Sequence, residues 1–347
     1  MLAAVAALAV AAPPAGAVTI AWGGDLTLGS SYGHPPQRGW PQLAPVAGVF
    51  RSADVGVLNY EGTFTPGGAS KCGGGNGGNC FAFQAPAANA GTLARAGVDV
   101  VNLANNHAYD FGPAGYRGTR AALDRADVRA TGAPGEVRVV RAGRTRVALV
   151  GFASYPWSAP LNDRRAVRSL VRAADRRADL VVVLFHGGAE GADKLRVPYG
   201  REFAFGEDRG DLRRFAHGAV DAGADLVLGS GPHVLRGMER YRNRLIAYSL
   251  GNLSGWRNFG TGGLLSYSAV LRVELSGRGR PVAGSVTSLL LDGIGVPHHD
   301  PSGGAERLMR RLSQSDFGAR GVWFTPQGEL VPPPVLGLPL PPAPPPV

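Results

Sequence analysis

Five apolar runs of the sequence each close on residues able to bind a cation or move a proton. Ile20-Ala21-Trp22-Gly23-Gly24 leads into Asp25, and Val57-Leu58 leads into Asn59-Tyr60-Glu61. Val100-Val101-Asn102-Leu103-Ala104 runs into Asn105-Asn106-His107, with Asp110 three residues on. Val182-Val183-Leu184-Phe185 ends in His186 followed by Gly187-Gly188-Ala189-Glu190, and Leu228-Gly229-Ser230-Gly231-Pro232 ends in His233. Each has a plain alternative when taken alone. Asp25 after two glycines reads as a turn cap, Glu61 as an exposed carboxylate, and Asn105–Pro113 as loop chemistry ahead of a helix. His186 resists that treatment, because a histidine closing an apolar strand must find a polar partner.

Five such endings together point to one shared site. Asp, Glu, Asn and His make a mixed oxygen and nitrogen donor set without thiolates, which suits Mn, Fe or Zn. Two ions a few ångströms apart would clamp a phosphoryl or acyl oxygen and supply a hydroxide.

The elements that must position these residues alternate in kind. Strands are expected at Val18–Trp22, Val55–Asn59, Val98–Leu103, Arg146–Phe152, Leu180–Phe185, Leu226–Gly229, Leu245–Ser249 and Leu264–Glu274. Helical patterns fall near Pro41–Phe50, Ala87–Ala96, Pro113–Ala126, Asp163–Ala178 and Asp211–Ala222, with a further helix at Ala305–Leu312 and a short hairpin or strand in Gly321–Leu330. Alternation of this kind reads as α/β, and nearly continuous apolar runs suit strands covered on both faces. In such sheets ligands bind outside the carboxyl ends of the strands, where the polar residues fall.

The two ends of the chain differ from its body. Residues 1–17 hold a short apolar run, Leu2–Ala12, and an Ala15-Gly16-Ala17 cleavage pattern. They read as a signal peptide, with an uncleaved anchor as the alternative. Residues 332–347 are proline-rich and read as an extended tail, either a wall-spanning spacer or a stretch foreign to the fold. Cys72 and Cys80 flank a glycine-rich spacer, so a disulfide in an oxidising compartment is expected. That loop reads as a pinned surface excursion without chemistry. The protein is therefore expected outside the cytoplasm, secreted or tethered to the envelope. The net charge of +10 comes from 34 Arg and only 2 Lys, scattered without aromatic interleaving or a nucleic-acid motif, and no nucleic-acid partner is expected.

The motifs GGDLTLG, LNYEG, FAFQAP, VDVVNLANNHAYDFG, HGGAE, GADLVLGSGPHVLRGMERY and LIAYSLGNL, in this order, resemble the CapA/PgsA-type bacterial poly-γ-glutamate capsule synthesis family. That family's domain belongs to the calcineurin-like metallophosphatase superfamily. The resemblance implies a layered sandwich of two β-sheets flanked by helices over 18–300, with residues 301–331 packing on it. It implies Asp25, Glu61, Asn106, His186 and His233 as ligands of one or two divalent ions. His107 would be an electrostatic stabiliser or general acid, and Asp25 would share in catalysis. Asn59, Asp110, Glu190, Ser249 and Asn252 would support the ligands or touch substrate. Two departures stand out. Thr27 occupies the histidine position of the superfamily's first motif, and Gly231 occupies the first histidine of the family's Gly-x-His-Pro-His, which puts a second ion in doubt. The resemblance implies a metal-dependent hydrolase acting on a phosphoester or amide, either in an anionic envelope polymer or in a small substrate, with membrane-associated capsule machinery as a further partner. The alternative is a non-catalytic polyanion-binding component of capsule export or attachment.

Overall fold

A computed structural model describes residues 16–73, 80–325 and 327–331. The apolar run Leu2–Ala12 and the proline-rich tail lie outside them. Two sheets stack face to face. The eight-stranded sheet runs Pro297–His299, Pro281–Leu291, Tyr267–Leu275, Val18–Leu26, Val55–Tyr60, Val100–Asn102, Arg129–Thr131, with Asn252–Ser254 pairing beside Val18–Leu26. The seven-stranded sheet runs Met238–Tyr241, Arg244–Ala247, Leu226–Ser230, Leu180–His186, Thr145–Ala153, Arg138–Ala142, with Ala159–Pro160 beside Thr145–Ala153. The seven-stranded sheet is parallel in its middle with antiparallel pairs at both ends, whereas the eight-stranded sheet is parallel from Val18–Leu26 to Arg129–Thr131 and antiparallel on its other side. This is the expected α/β sandwich.

The period-2 alternation of strand side chains sorts the core. Ile20, Trp22, Val57, Leu149, Val182, Leu184 and Leu228 fill the space between the sheets. Their neighbours Ala21, Leu58 and Val101 face outward onto Leu43, Phe50, Leu93 and Leu123. Val150, Val181 and Val183 face the opposite way, onto Val171, Phe215 and Ala219 of the helices Arg164–Asp175 and Leu212–Ala222. Strands covered on both sides need apolar residues at every position, hence the unbroken runs. The helix Gly304–Phe317 closes one edge of the inter-sheet core with Ala305, Leu308, Met309 and Leu312.

Local departures have local causes. The single helix expected over Pro41–Phe50 is two, Trp40–Leu43 and Ala47–Arg51, divided at Pro45, which has no amide proton to continue the ladder. The segment expected to begin a strand at Leu264 is first a 3₁₀ turn, Gly263–Ser266, and the strand starts at Tyr267. Pro281–Leu291 is a full strand that the apolar runs did not announce. It lies toward the edge of the sheet with one face partly open, so it mixes Ser, Thr and Gly with valine and leucine. Phe324 and Leu330 bridge across the expected C-terminal hairpin, and Glu329 bridges to Ser285.

Register brings the polar endings together. Asp25 pairs with Asn59 and Asn252, Asn59 pairs with Asn102, and His186 pairs with Ser230. The carboxyl ends of both sheets therefore open onto one crevice.

Candidate metal centre and cleft

Asp25 is the hub. It is fully buried, and Asn59 Nδ2 donates to its Oδ1 at 2.7 Å while the Gly231 amide donates to its Oδ2 at 3.1 Å. Asn59 is itself fixed, since its carbonyl oxygen accepts from Asn102 at 2.9 Å and Asn105 at 3.2 Å. His186 Nδ1 lies 3.2 Å from Glu61 Oε1 and 3.6 Å from Asp25 Oδ1. Among the described residues, Asp25, Glu61 and His186 each offer a donor atom within 4.8 Å of the others'.

Glu61 decides whether a cation fits. It is fully buried, yet neither carboxylate oxygen has a hydrogen-bond partner. Such a group is costly unless a cation or a proton meets it. Beside a second carboxylate and an imidazole, that donor set fits a divalent ion of the borderline class. Burial, and then the Asp25 charge, push the Glu61 carboxyl well above its ordinary value. Burial pushes the His186 imidazole down to about 4, so at neutral pH its ring is uncharged and carries a lone pair on one nitrogen. For Asp25, burial acts upward, but hydrogen bonds with His186 and His233 outweigh it and hold the carboxyl low.

His233 lies on the other side of Asp25, with Nδ1 3.3 Å from Asp25 Oδ2 and 2.8 Å from Asn252 Oδ1. Its Nε2 is 3.7 Å from Glu190 Oε2. The residue adopts φ 58°, a left-handed conformation unusual for a side chain of this size, of the kind that collects at functional sites. Burial would lower its pKa, but Glu61, Asp25 and Glu190 raise it to about 10.

Asn106 and His107 reach the same cleft from the third strand's loop, and the Asn106 Oδ1 is buried without a partner. His107 Nδ1 lies 2.9 Å from Asp110 Oδ2, while Asp110 also accepts from the Phe83 amide at 2.7 Å and forms an ion pair with Lys71 at 2.6 Å. Asp110 thus fixes the ring and stays out of the cleft. Ser249 also stays out. Its hydroxyl donates to the Val234 carbonyl and accepts from the Gly251 amide, tying together the loops that carry His233 and Asn252.

The cleft above these residues measures about 570 Å³. Charged and polar groups (Asn106, His107, Glu190, Arg209, His233, Asn252) share its lining with Phe81, Phe83, Tyr155, Trp157, Phe205 and Phe259. The bonded Cys72–Cys80 pair is found as expected. The loop is not remote from the chemistry, because Lys71, Cys80 and Phe81 line the cleft. Several contributors escaped the sequence reading, Arg209 and Trp157 among them. Arg209 is one of 34 arginines, in a charged stretch with no motif, and Trp157 sits in Ser154-Tyr155-Pro156-Trp157, an ordinary turn. Only the fold distinguishes them.

A two-sheet α/β sandwich carrying at its strand ends a buried Asp–Glu–His group that could hold a metal ion is the class the fold and site define. Residues 19–255 match the family described as bacterial capsule synthesis protein PGA_cap, and the chain belongs to that family. It is 33% identical over 195 residues to the capsule biosynthesis protein CapA of Bacillus anthracis, covering 50% of this chain and 44% of that protein. The alignments with the two Bacillus CapA proteins thus cover less than half of each. A probable polyglutamine synthesis accessory protein of Mycobacterium tuberculosis is 28% identical over 311 residues, 80% of this chain and 73% of that one. Among solved structures, a 5'-nucleotidase precursor of Thermus thermophilus aligns at 16% identity with a TM-score of 0.44, over 86% of this chain and 59% of that one.

Proposed function

We propose that the protein is an extracytoplasmic, metal-dependent hydrolase of capsule-type polymer metabolism, cleaving a phosphoester or an amide. The observation that carries this reading is Glu61, a buried carboxylate whose oxygens both lack partners beside Asp25 and His186 at the cleft. Asp25, Glu61 and His186 would hold a divalent ion, with Asn106 and His233 within the same cleft. When bound, the ion supplies Lewis acidity toward a phosphoryl or acyl oxygen. The remaining work falls to side chains. The Asp110 carboxylate holds His107 by Nδ1, which leaves Nε2 to deliver a proton to a leaving group. Asn59 and the Gly231 amide keep the Asp25 carboxylate in one orientation. Phe83, Trp157 and Phe259 keep water from the walls. The disulfide supports placement in an oxidising compartment, and the apolar run Leu2–Ala12 supports export.

The test is hydrolysis of a phosphodiester and of a γ-glutamyl amide by protein loaded with Mn²⁺. Turnover of one of them by the wild type and its loss in both Glu61→Gln and His186→Ala is the expected outcome. Polymer binding without turnover, unchanged by either substitution, would replace this reading with that of a polyanion-binding component.

A further inference from the structure

Arg209 is the largest charged side chain facing the candidate metal centre, and the proposed hydrolysis gives it no task. It leaves the short strand Glu207–Gly210 and is 1% exposed. Its Nη1 lies 2.7 Å from Glu190 Oε1 and 3.4 Å from Glu207 Oε2, and its Nη2 lies 3.2 Å from His186 Nε2. Its Nε has no partner at all. Burying a guanidinium is expensive, and here it is not even fully hydrogen-bonded. A group retained under those terms beside Glu190 and Glu207 is acting as a charge.

We infer that Arg209 is the fixed second cation of this site, and that the site therefore takes a single divalent ion. This inference rests on the metal-centre reading above. Three anionic groups surround the cleft floor: Asp25, Glu61 and Glu190. Arg209 already sets one fixed positive charge against them, and the His233 imidazole, 3.3 Å from Asp25, faces the same carboxylates, so a second divalent ion would leave a large buried positive excess. Ligand supply agrees. Glu190, the carboxylate left over from the Asp25–Glu61–His186 group, is engaged by Arg209 on Oε1 and faces His233 on Oε2. Position 231 cannot add a ligand. Gly231 has φ 114°, and a Cβ there would stand 2.8 Å from both the amide nitrogen and the carbonyl oxygen of Gly187. The strand ends close backbone to backbone at that point, so no empty seat for a side chain exists.

The experiment is Mn²⁺ titration of metal-stripped full-length protein, read by calorimetry and by bound metal per chain after desalting. The wild type is expected to saturate at one ion per chain, and its Mn²⁺ electron paramagnetic resonance spectrum to be that of an isolated ion. Arg209→Gln removes the neighbouring charge and releases Glu190. It is expected to tighten the first ion about tenfold or more, since two cations in this partly dry site repel strongly. Arg209→Lys keeps the charge and is expected to keep one ion at near wild-type affinity. Two exchange-coupled ions in the wild type would overturn the inference while leaving the hydrolase reading intact. Weaker Mn²⁺ binding by Arg209→Gln would also overturn it, by making the arginine a mere prop for His186. No ion bound to the wild type at any concentration would sink both readings together. Should Arg209→Gln fail to fold, the wild-type stoichiometry and the lysine variant still decide.

Discussion

Two buried arginines flank the loop Gly187–Glu190, and they are treated in opposite ways. Arg236 donates to Glu202 through Nη1 at 2.9 Å and Nη2 at 2.7 Å, to the Lys194 carbonyl through Nε at 2.8 Å and to the Ala189 carbonyl at 3.2 Å. Glu202 also accepts from the Ala189 amide at 3.0 Å. Nearly every donor and acceptor is matched, and the pair fixes the loop from behind. Arg209 meets the same loop at Glu190, at 2.7 Å but without hydrogen-bond alignment, so Glu190 Oε1 and Arg209 Nε stay unpartnered. Glu61, further in, has no hydrogen bond on either oxygen, with His186 Nδ1 standing 3.2 Å from Oε1. A matched pair is finished structure. An unmatched group in an equally buried position beside the cleft leaves room for an ion or a ligand to complete it.

The largest effect should come from breaking the finished pair. Arg236→Met strands Glu202 as a buried, uncompensated carboxylate, and the expected loss is about 3–5 kcal/mol of unfolding free energy. Chemical denaturation measures it. A loss under about 1 kcal/mol would mean that the two arginines do not differ in kind.

Glu61→Gln should behave in the reverse manner. The substitution removes an unpaired charge, so chelator-treated protein should hold or gain stability. The sign follows from the raised Glu61 carboxyl. The unfolded glutamate ionises near 4.5 and the folded one only at higher pH. Its favourable contribution is therefore present below 4.5 and is lost as pH rises, so the variant's advantage should appear above that value and grow. Mn²⁺ should then separate the two proteins. At a concentration of 100 times its Kd the ion adds about 2.7 kcal/mol to the wild type, and Glu61→Gln should gain almost none of it. An equal metal-induced shift in the melting temperature of both proteins would remove Glu61 from the ligand set.

This contrast also explains what could be read in advance. The endings at Asp25, Glu61, Asn106, His186 and His233 were legible because a polar residue is conspicuous where a buried parallel strand stops. Their convergence follows from register, which the apolar runs constrain. Arg209 was not legible, because nothing local separates it from Arg201 or Arg213, and its burial depends on Glu190 and His186 from another strand end. Pro281–Leu291 was missed because its pairing with Tyr267–Leu275, more than its own composition, makes it a strand. Gly231 was legible as a departure, but its meaning was not. The backbone of Gly187 shows that the position is sealed rather than vacated.

The rim should be less sensitive than the floor. Opening the Cys72–Cys80 bond by Cys72→Ser with Cys80→Ser frees a short loop, at a cost of about 2 kcal/mol through the unfolded chain. Lys71 and Phe81 border that loop and line the cleft, so ligand affinity should weaken a few-fold while Mn²⁺ affinity stays unchanged. A loss of Mn²⁺ binding would show that rim and floor are one cooperative unit.

The smallest effect belongs to a third buried carboxylate, which sharpens the rule. Glu239 accepts on Oε2 from His217 at 2.9 Å and from the fully buried Tyr248 hydroxyl at 3.0 Å, while its Oε1 has no hydrogen bond but stands 3.1 Å from Arg320. Burial would raise this carboxyl, but His217, Tyr248 and Arg320 outweigh it and hold it below 4.5. Its stabilising contribution is thus present above 4.5 and lost as pH falls, the opposite of Glu61. Tyr248→Phe removes one of two partners on Oε2 and leaves His217, so the expected cost is about 1 kcal/mol. The cost should shrink on acidification as Glu239 becomes protonated, and Mn²⁺ affinity should not move. If Tyr248→Phe instead altered Mn²⁺ binding as Glu61→Gln does, the presence of side-chain hydrogen bonds on a buried carboxylate would not distinguish the groups that hold the fold from those that await a ligand.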